Sequence, residues 1–272
     1  MTTYTTVGDT QLSFDTMYAS MAQDVLSSGL TDVGEWQAQK GVNGETLEVT
    51  HARVEVPISP LIVDWQWLTR CNLPWAEDHF LERTSGLPMN PPPSEAYWPY
   101  AVQGNAEHKA GEKFSHTYPE RFWPRYARWD GRQIRGIRFR YGDYTDLAGV
   151  LQDNPHTRQA YLPIWFPEDI AAAVEGQRVP CSLGYHFLVR RGKMDVEYHI
   201  RSCDMVRHFR DDVYMAGRLV HDLLRLTRID AEPGKLVMNI GSLHAFPPDV
   251  YGLEQFVAQN SANITRHLME KL

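Results

Sequence analysis

The sequence predicts an α+β fold in a single domain, and three observations carry that prediction. Apolar residues recur at helical spacing in some stretches and alternate in others. The two kinds of stretch are mixed without the regular strand–helix alternation of a parallel α/β sheet. One pair of alternating runs also brackets Arg190-Arg191-Gly192-Lys193, a hairpin signature. The 272 residues, 43% hydrophobic and 22% charged, suffice for one sizeable core. Residues 1–272 are therefore taken as one domain, with 87–111 as an irregular loop region.

Phe14 to Leu30 reads as an amphipathic helix through Met17, Met21, Val25 and Leu26, with Gly29 at its end. Glu45 to Val56 alternates as a strand through Leu47, Val49, His51 and Arg53. Leu61 to Leu68 is largely apolar and follows Pro60; it suits a helix or a buried strand, and a helix is favoured. From 87 to 111 the chain is rich in Pro, Gly and Asn, including Pro91-Pro92-Pro93, and long loops of this kind often bind ligands or act as lids. Aromatic residues cluster here and just beyond: Tyr97, Trp98, Tyr100, Phe114, Tyr118, Phe122 and Trp123. They either pin the loop to the core or offer a stacking surface for a flat ligand. Tyr144 to Leu151 reads as helix and Thr157 to Trp165 as strand. Tyr185 to Val189 and Met194 to Ile200 are the hairpin strands. Asp211 to Leu226 is the strongest helix, with Tyr214, Met215, Leu219, Leu223 and Leu224 in a stripe. Lys235 to Ile240 reads as strand, and the tail 261–272 as a polar amphipathic helix.

The formal net charge of −7 argues against binding a nucleic acid polymer, which rests on many cationic contacts to phosphate. The three cysteines, Cys71, Cys181 and Cys203, form no C-x-x-C, so neither a metal site nor a disulfide framework is expected. No run approaches the roughly 20 apolar residues of a membrane span, and the N-terminus lacks a leader pattern. A cytoplasmic protein is the expectation.

Three segments carry chemistry: Arg178-Val179-Pro180-Cys181, Arg201-Ser202-Cys203-Asp204 and Asn239-Ile240-Gly241-Ser242-Leu243-His244. The first two flank the hairpin, so they meet at one end of the sheet. A lone cysteine is usually a small buried hydrophobe. A nucleophilic one needs cations nearby to favour its thiolate, and Arg178 and Arg201 can supply them. Arg201 with Ser202 also makes a phosphate clamp, a guanidinium fork beside a hydroxyl.

With Asp153-Asn154-Pro155-His156-Thr157-Arg158 and Trp165, these segments resemble the thymidylate synthase superfamily. The likeness is best over 145–250, and closest to the deoxycytidylate/cytidylate 5-hydroxymethylase branch. Before residue 145 only Trp98 and Tyr118 align. The resemblance implies a mixed β-sheet flanked by helices, dimerising through the sheet. It implies that Cys181 adds to C6 of a pyrimidine nucleotide, which makes C5 nucleophilic towards the one-carbon unit of 5,10-methylenetetrahydrofolate. By the same analogy Arg201 and Ser202 hold the 5′-phosphate, and Arg158 reaches it across the dimer. Asp204 and Trp98 serve the folate, and His244 meets the sugar. The family's catalytic glutamate falls on Glu77 or Glu82, with Asp78 nearby.

Several positions depart from the family. Asp212 stands where thymidylate synthases carry the base-reading Asn. A carboxyl can accept from the amino group of cytosine and, if protonated, donate to N3, so the expected base is cytosine. The plainer reading of Asp211-Asp212 is a charge pair at a helix N-terminus. Ile200, Phe246, Gln159 and Ser182 replace the usual Gln, Tyr, Arg and His. Loss of the tyrosine hydroxyl leaves both dCMP and CMP open. The family's N-terminal arginine loop is not recognisable, although Lys40 lies in that region. The expected activity is (d)CMP 5-hydroxymethylation quenched by water. The alternatives are 5-methylation of (d)CMP or dUMP on the same scaffold, and an inactive nucleotide-binding protein.

Overall fold

The structure is a computed structural model that describes residues 1–6, 8, 10–32, 45–100, 109–110, 112–127 and 142–269. Lys40 and residues 101–108 and 111 of the expected loop lie outside these. In chain order the strands are β1 (Thr2–Thr5), β2 (Leu30–Asp32), β3 (Glu45–Pro57), β4 (Lys109–Ala110), β5 (Lys113–Phe114), β6 (Tyr161–Pro163), β7 (Ser182–Arg190), β8 (Lys193–Asp204) and β9 (Glu232–Ala245). The helices are α1 (Gln11–Ser27), α2 (Ile62–Thr69), α3 (Trp75–Thr84), α4 (Tyr118–Phe122), α5 (Pro124–Ala127), α6 (Tyr144–Asp153), α7 (Glu168–Val174), α8 (Phe209–Thr227) and α9 (Val250–Met269). Single 3₁₀ turns occupy Pro93–Tyr97 and Pro247–Asp249.

Among the described residues, seven strands form one sheet in the order β1-β3-β9-β8-β7-β6, with β2 added beside β3. It is mixed: β1–β3 and β8–β9 run parallel, and the other pairs antiparallel. The chain is thus α+β, a mixed sheet flanked by helices. The hairpin forms as its alternation requires, with Arg190 opposite Lys193 at the turn and Gly192 at φ +71°. The stretch from 61 to 68 is a helix.

Helix α8 organises the interior. It packs on β8 and β9, and α2, α3 and α6 pack on it. Tyr214, Met215, Leu219 and Leu223 of its predicted stripe are buried. Its contact with α2 leaves no room for a side chain at Gly217, where a Cβ would overlap the Trp65 indole. That indole donates from Nε1 to the Tyr214 carbonyl at 2.9 Å. Helix α1 starts at Gln11 because Thr10 caps it, its hydroxyl accepting from the Ser13 N–H at 3.2 Å. Of the tail, the described residues 261–269 belong to α9, which packs along α1 with Phe256 edge-on to Tyr18 at 5.2 Å.

Two expectations change. The strand expected over 157–165 shortens to 161–163. Pro163 has no N–H to donate, and the amides of Ile164 and Trp165 both turn to the Leu183 carbonyl. Beyond it, Asp169 receives both guanidinium ends of buried Arg121 at 2.7 and 2.8 Å, which anchors the approach to Cys181. Helix α3 has no counterpart among the predicted elements. Its buried face mixes Trp75, Ala76, His79, Phe80, Glu82 and Arg83, so no apolar stripe marks it.

Because the Trp65 indole is fully buried and tied to the Tyr214 carbonyl, Gly217→Ala should cost about 1–3 kcal/mol. Thermal unfolding should detect this as a drop of roughly 2–10 °C. An unchanged midpoint would mean that the α2–α8 contact is looser than described.

Candidate active site

The open end of the β7–β8 hairpin brings the first two segments together. The Arg201 N–H donates to the Cys181 carbonyl at 2.9 Å. The Arg201 side chain donates to the carbonyls of Pro180 at 2.9 Å and Val179 at 3.1 Å. One arginine thus fixes the backbone that presents the thiol. Cys181 is half-buried and free. Strand β9 delivers the third segment in parallel register, with Ser202 beside Ser242 and Asp204 beside His244.

Beneath the thiol lies a hydroxyl cluster. Ser182 Oγ donates to the Tyr118 hydroxyl at 3.1 Å and sits 2.6 Å from that of Tyr198. The Arg83 guanidinium lies over the Tyr118 ring at 4.0 Å. The aromatic residues of the sequence divide. Phe122 and Trp123 enter the core, while Trp98 stacks on His208 at 5.2 Å and tilts against Trp75 at 6.2 Å.

Three buried carboxylates gather at the N-terminus of α8. Asp211 accepts from the Asn72 N–H at 2.7 Å and its amide at 2.8 Å. Asp204 accepts from the amides of Val206 and Arg207, both at 3.0 Å, and from the Arg207 guanidinium at 3.1 Å. Asp212 is 9% exposed, and the Cys203 thiol faces its carboxylate at 4.0 Å. Burial pushes the Asp212 carboxyl up to about 7; Arg83 opposes the shift, and Asp211 and Asp204 reinforce it. His244 is buried, edge-on to Phe246 at 5.3 Å. Burial lowers its pKa, although Asp204 pulls it back.

Both candidate glutamates are engaged by protein groups. Glu77 accepts from Tyr214 at 2.5 Å and from Arg218 at 2.8 and 3.0 Å. Burial pushes its carboxyl up, but these bonds outweigh burial and hold it below the usual range. Glu82 accepts from the Ser94 N–H at 2.6 Å and from the Ser94 hydroxyl at 2.5 Å. His79 Nδ1 then faces Ser94 Oγ at 3.0 Å and Glu82 at 3.2 Å. The serine's single proton goes to the carboxylate, so Nδ1 must be the donor and Nε2 carries the lone pair. Burial, aided by Arg83, pushes His79 down to about 4, so the ring is neutral at neutral pH. Sequence reasoning missed His79 and Arg83. They lie four residues apart, one helical turn, a spacing that marks a shared face only once 75–84 is read as a helix.

Cys181, Arg201, Ser202, Asp204, Asp212 and His244 thus cluster at one end of the sheet. Trp98 joins them through His208, whose N–H donates to the Asp204 carbonyl at 3.0 Å. Arg158 is exposed beside β7, its carbonyl 3.0 Å from His186 Nε2, and is not bonded to Arg201 or Ser202. The surface of Trp75, Trp98 and His208 suits a flat ring. Trp98 Nε1 is a buried donor with no partner among the described residues, so the residues present fit a pterin. Among the described residues no cluster of His, Cys, Asp and Glu is suited to a metal ion, and no helix is long and apolar enough to cross a membrane.

Asp212 makes stability depend on pH. Its folded pKa lies above the unfolded value near 3.9, so the folded state binds the extra proton in between. Its stability contribution is complete below about pH 4 and is lost as the pH rises through about 7, by about 4 kcal/mol. Asp212→Asn should remove that loss. Melting curves of the variant and native protein between pH 4 and 8 should diverge as pH rises, with the native protein falling faster; parallel curves would place Asp212 in a wetter setting.

The family model described as thymidylate synthase matches residues 123–270, more than half of the chain. The thymidylate synthase of Rhizorhabdus wittichii is 30% identical over 129 residues, covering 46% of this chain and 39% of that protein. The thymidylate synthase of Bacillus phage phi3T is 22% identical over 260 residues, 89% of this chain and 82% of its own. Thymidylate synthase 1 of Bacillus subtilis strain 168 matches to the same extent. The matched region runs from α5 through α9 and contains the cysteine segment, the arginine clamp and the N-terminus of α8, and on this ground the chain belongs to the thymidylate synthase family.

Proposed function

We propose that the protein is a pyrimidine nucleotide 5-hydroxymethyltransferase acting on dCMP or CMP. The observation that carries this reading is Asp212, a buried carboxyl whose proton is shared near neutrality, standing where the family carries asparagine. Protonated, it donates to N3 of cytosine and accepts from the 4-amino group; uracil presents the opposite pattern. Cys181 adds to C6 through its thiolate, moving charge into the ring and making C5 a nucleophile. Arg201 retains donors beyond the two spent on Pro180 and Val179, and with Ser202 it takes the 5′-phosphate. His244 orients the sugar. Trp98 and Asp204 would hold 5,10-methylenetetrahydrofolate, which supplies one carbon at the oxidation level of formaldehyde. Water, rather than hydride, completes the product.

The proposal includes the single domain and a homodimer formed through the sheet, with Arg158 offered to the partner's phosphate site. In its support, a polar network runs across one sheet face: Arg53 donates to Asn239 at 3.1 Å, and Asn239 to Glu197 at 2.8 Å. The second reading is methylation of dUMP. It is favoured by the names of the relatives, all thymidylate synthases.

Incubation with methylenetetrahydrofolate and dCMP, CMP, dUMP or UMP separates the readings. A cytidylate gaining the mass of CH₂O is the expected product; dUMP gaining CH₂ would establish the second reading instead. Cys181→Ala should keep nucleotide binding and lose turnover by on the order of 10⁴-fold or more. Turnover that survives in this variant would remove Cys181 from the mechanism. Asp212→Asn should move preference from cytidylate to uridylate by about tenfold or more. An unmoved preference would end base reading by Asp212.

A further inference from the structure

Arg83 is 3% exposed. It projects from α3 onto the Tyr118 ring, 4.0 Å from guanidinium carbon to ring centre. Tyr118 in turn accepts from Ser182, the residue after Cys181, at 3.1 Å. Among the described residues no ion pair engages the guanidinium, and its Nε has no hydrogen-bond partner. The bond at this residue is to its backbone, where Trp123 Nε1 donates to the carbonyl at 2.9 Å. A buried cation without an anion is costly, and proteins ordinarily pair or solvate one. The other buried arginines behave ordinarily: Arg121 has Asp169 and Arg218 has Glu77. Arg83 also acts on Asp212 by charge alone, with no bond between them.

We propose that Arg83 is a nucleotide-binding residue whose guanidinium donates to a carbonyl oxygen of the pyrimidine ring and holds the charge that arrives there when Cys181 adds to C6. This deepens the function proposed above and rests on it. The electron count is simple. The Sγ–C6 bond forms from the thiolate pair, and the C5=C6 π pair shifts to C4=C5. In cytosine the C4=N3 pair moves to N3 and is shared with O2; in uracil the C4 carbonyl pair moves to O4. The thiolate's charge thus becomes charge on the ring, beside a donor that the folded protein leaves unpaired. A donor waiting for charge that develops during reaction is the arrangement that lowers a barrier most.

Two measurements test it without folate. The first is thermal unfolding of ligand-free Arg83→Met. An unpaired functional cation predicts an unchanged midpoint or a rise of about 2–6 °C, whereas a fall would make Arg83 structural and overturn the proposal. The second is exchange of the C5 hydrogen for deuterium in D₂O, followed by NMR on dCMP, CMP, dUMP and UMP in turn, with Cys181→Ala as the blank. Exchange requires the C6 adduct, a deuteron taken at C5, loss of the original proton and release of the thiolate. Arg83→Gln should exchange about 10²–10³-fold more slowly while binding the nucleotide within about tenfold, and Arg83→Lys should recover part of the rate. Native-like exchange in Arg83→Gln would overturn the role of Arg83 alone. Absence of exchange in the native protein with all four nucleotides would instead overturn the reading of the site as a pyrimidine site, and this proposal with it.

Discussion

Three carboxylates share the dry N-terminus of α8, and the surrounding structure is arranged around their charge. A helix N-terminus tolerates negative charge, but burying three carboxylates together exceeds what the dipole offsets. Asp211 is held by hydrogen bonds from Asn72, which offset part of the cost of burial and tie the link between α2 and α3 to α8. Asp204 is neutralised by the turn it caps and by Arg207, which also reaches Asp249 at 2.8 Å and draws the following turn inward. Among the described residues Asp212 receives no comparable partner, and burial favours its protonated form. The solutions differ because Asn72 and Arg207 reach two of the carboxylates and neither reaches the third.

That division explains why the site reads as polar yet rigid. Arg201 holds the backbone ahead of the thiol, Ser182 holds Tyr118, and Tyr185 stacks on Tyr198 at 4.4 Å below them. Among the described residues, buried donors here without a hydrogen-bond partner include Arg83 Nε and the indole N–H groups of Trp75 and Trp98. A folded interior seldom leaves such donors bare.

The sequence made the sheet legible where the physics is local. Alternation on either side of Gly192 marked the hairpin, but its register alone sets Cys181 opposite Ser202; a one-residue shift between Ser182 and Gly184, invisible in the alternation, brings Cys181 to Arg201. The stripe from Tyr214 to Leu223 marked α8 because its members are apolar at helical spacing and buried together. The same rule hid α3, whose inward face carries His79, Glu82 and Arg83. A periodicity built on apolar residues is blind to a helix that buries its polar ones. Glu77 and Glu82 drew notice as bare carboxylates, since sequence gives residue type but not the Arg218 and Ser94 that engage them. The shortened β6 follows from Pro163, which was visible; that two successive amides share the Leu183 carbonyl was not.

The His79–Glu82–Ser94 arrangement has a consequence for the loop that carries Ser94. The serine sits in the turn Pro93–Tyr97, while the other two belong to α3. The serine hydroxyl spends its proton on Glu82 and its oxygen faces His79 Nδ1, which also faces Glu82, so serine and carboxylate together hold the imidazole proton on Nδ1. Three donors therefore meet one carboxylate, and two of them belong to the turn. With the turn lifted, Glu82 keeps only the imidazole as a partner in this cluster. A displacement of backbone is in this way converted into a stronger negative field on a neutral ring.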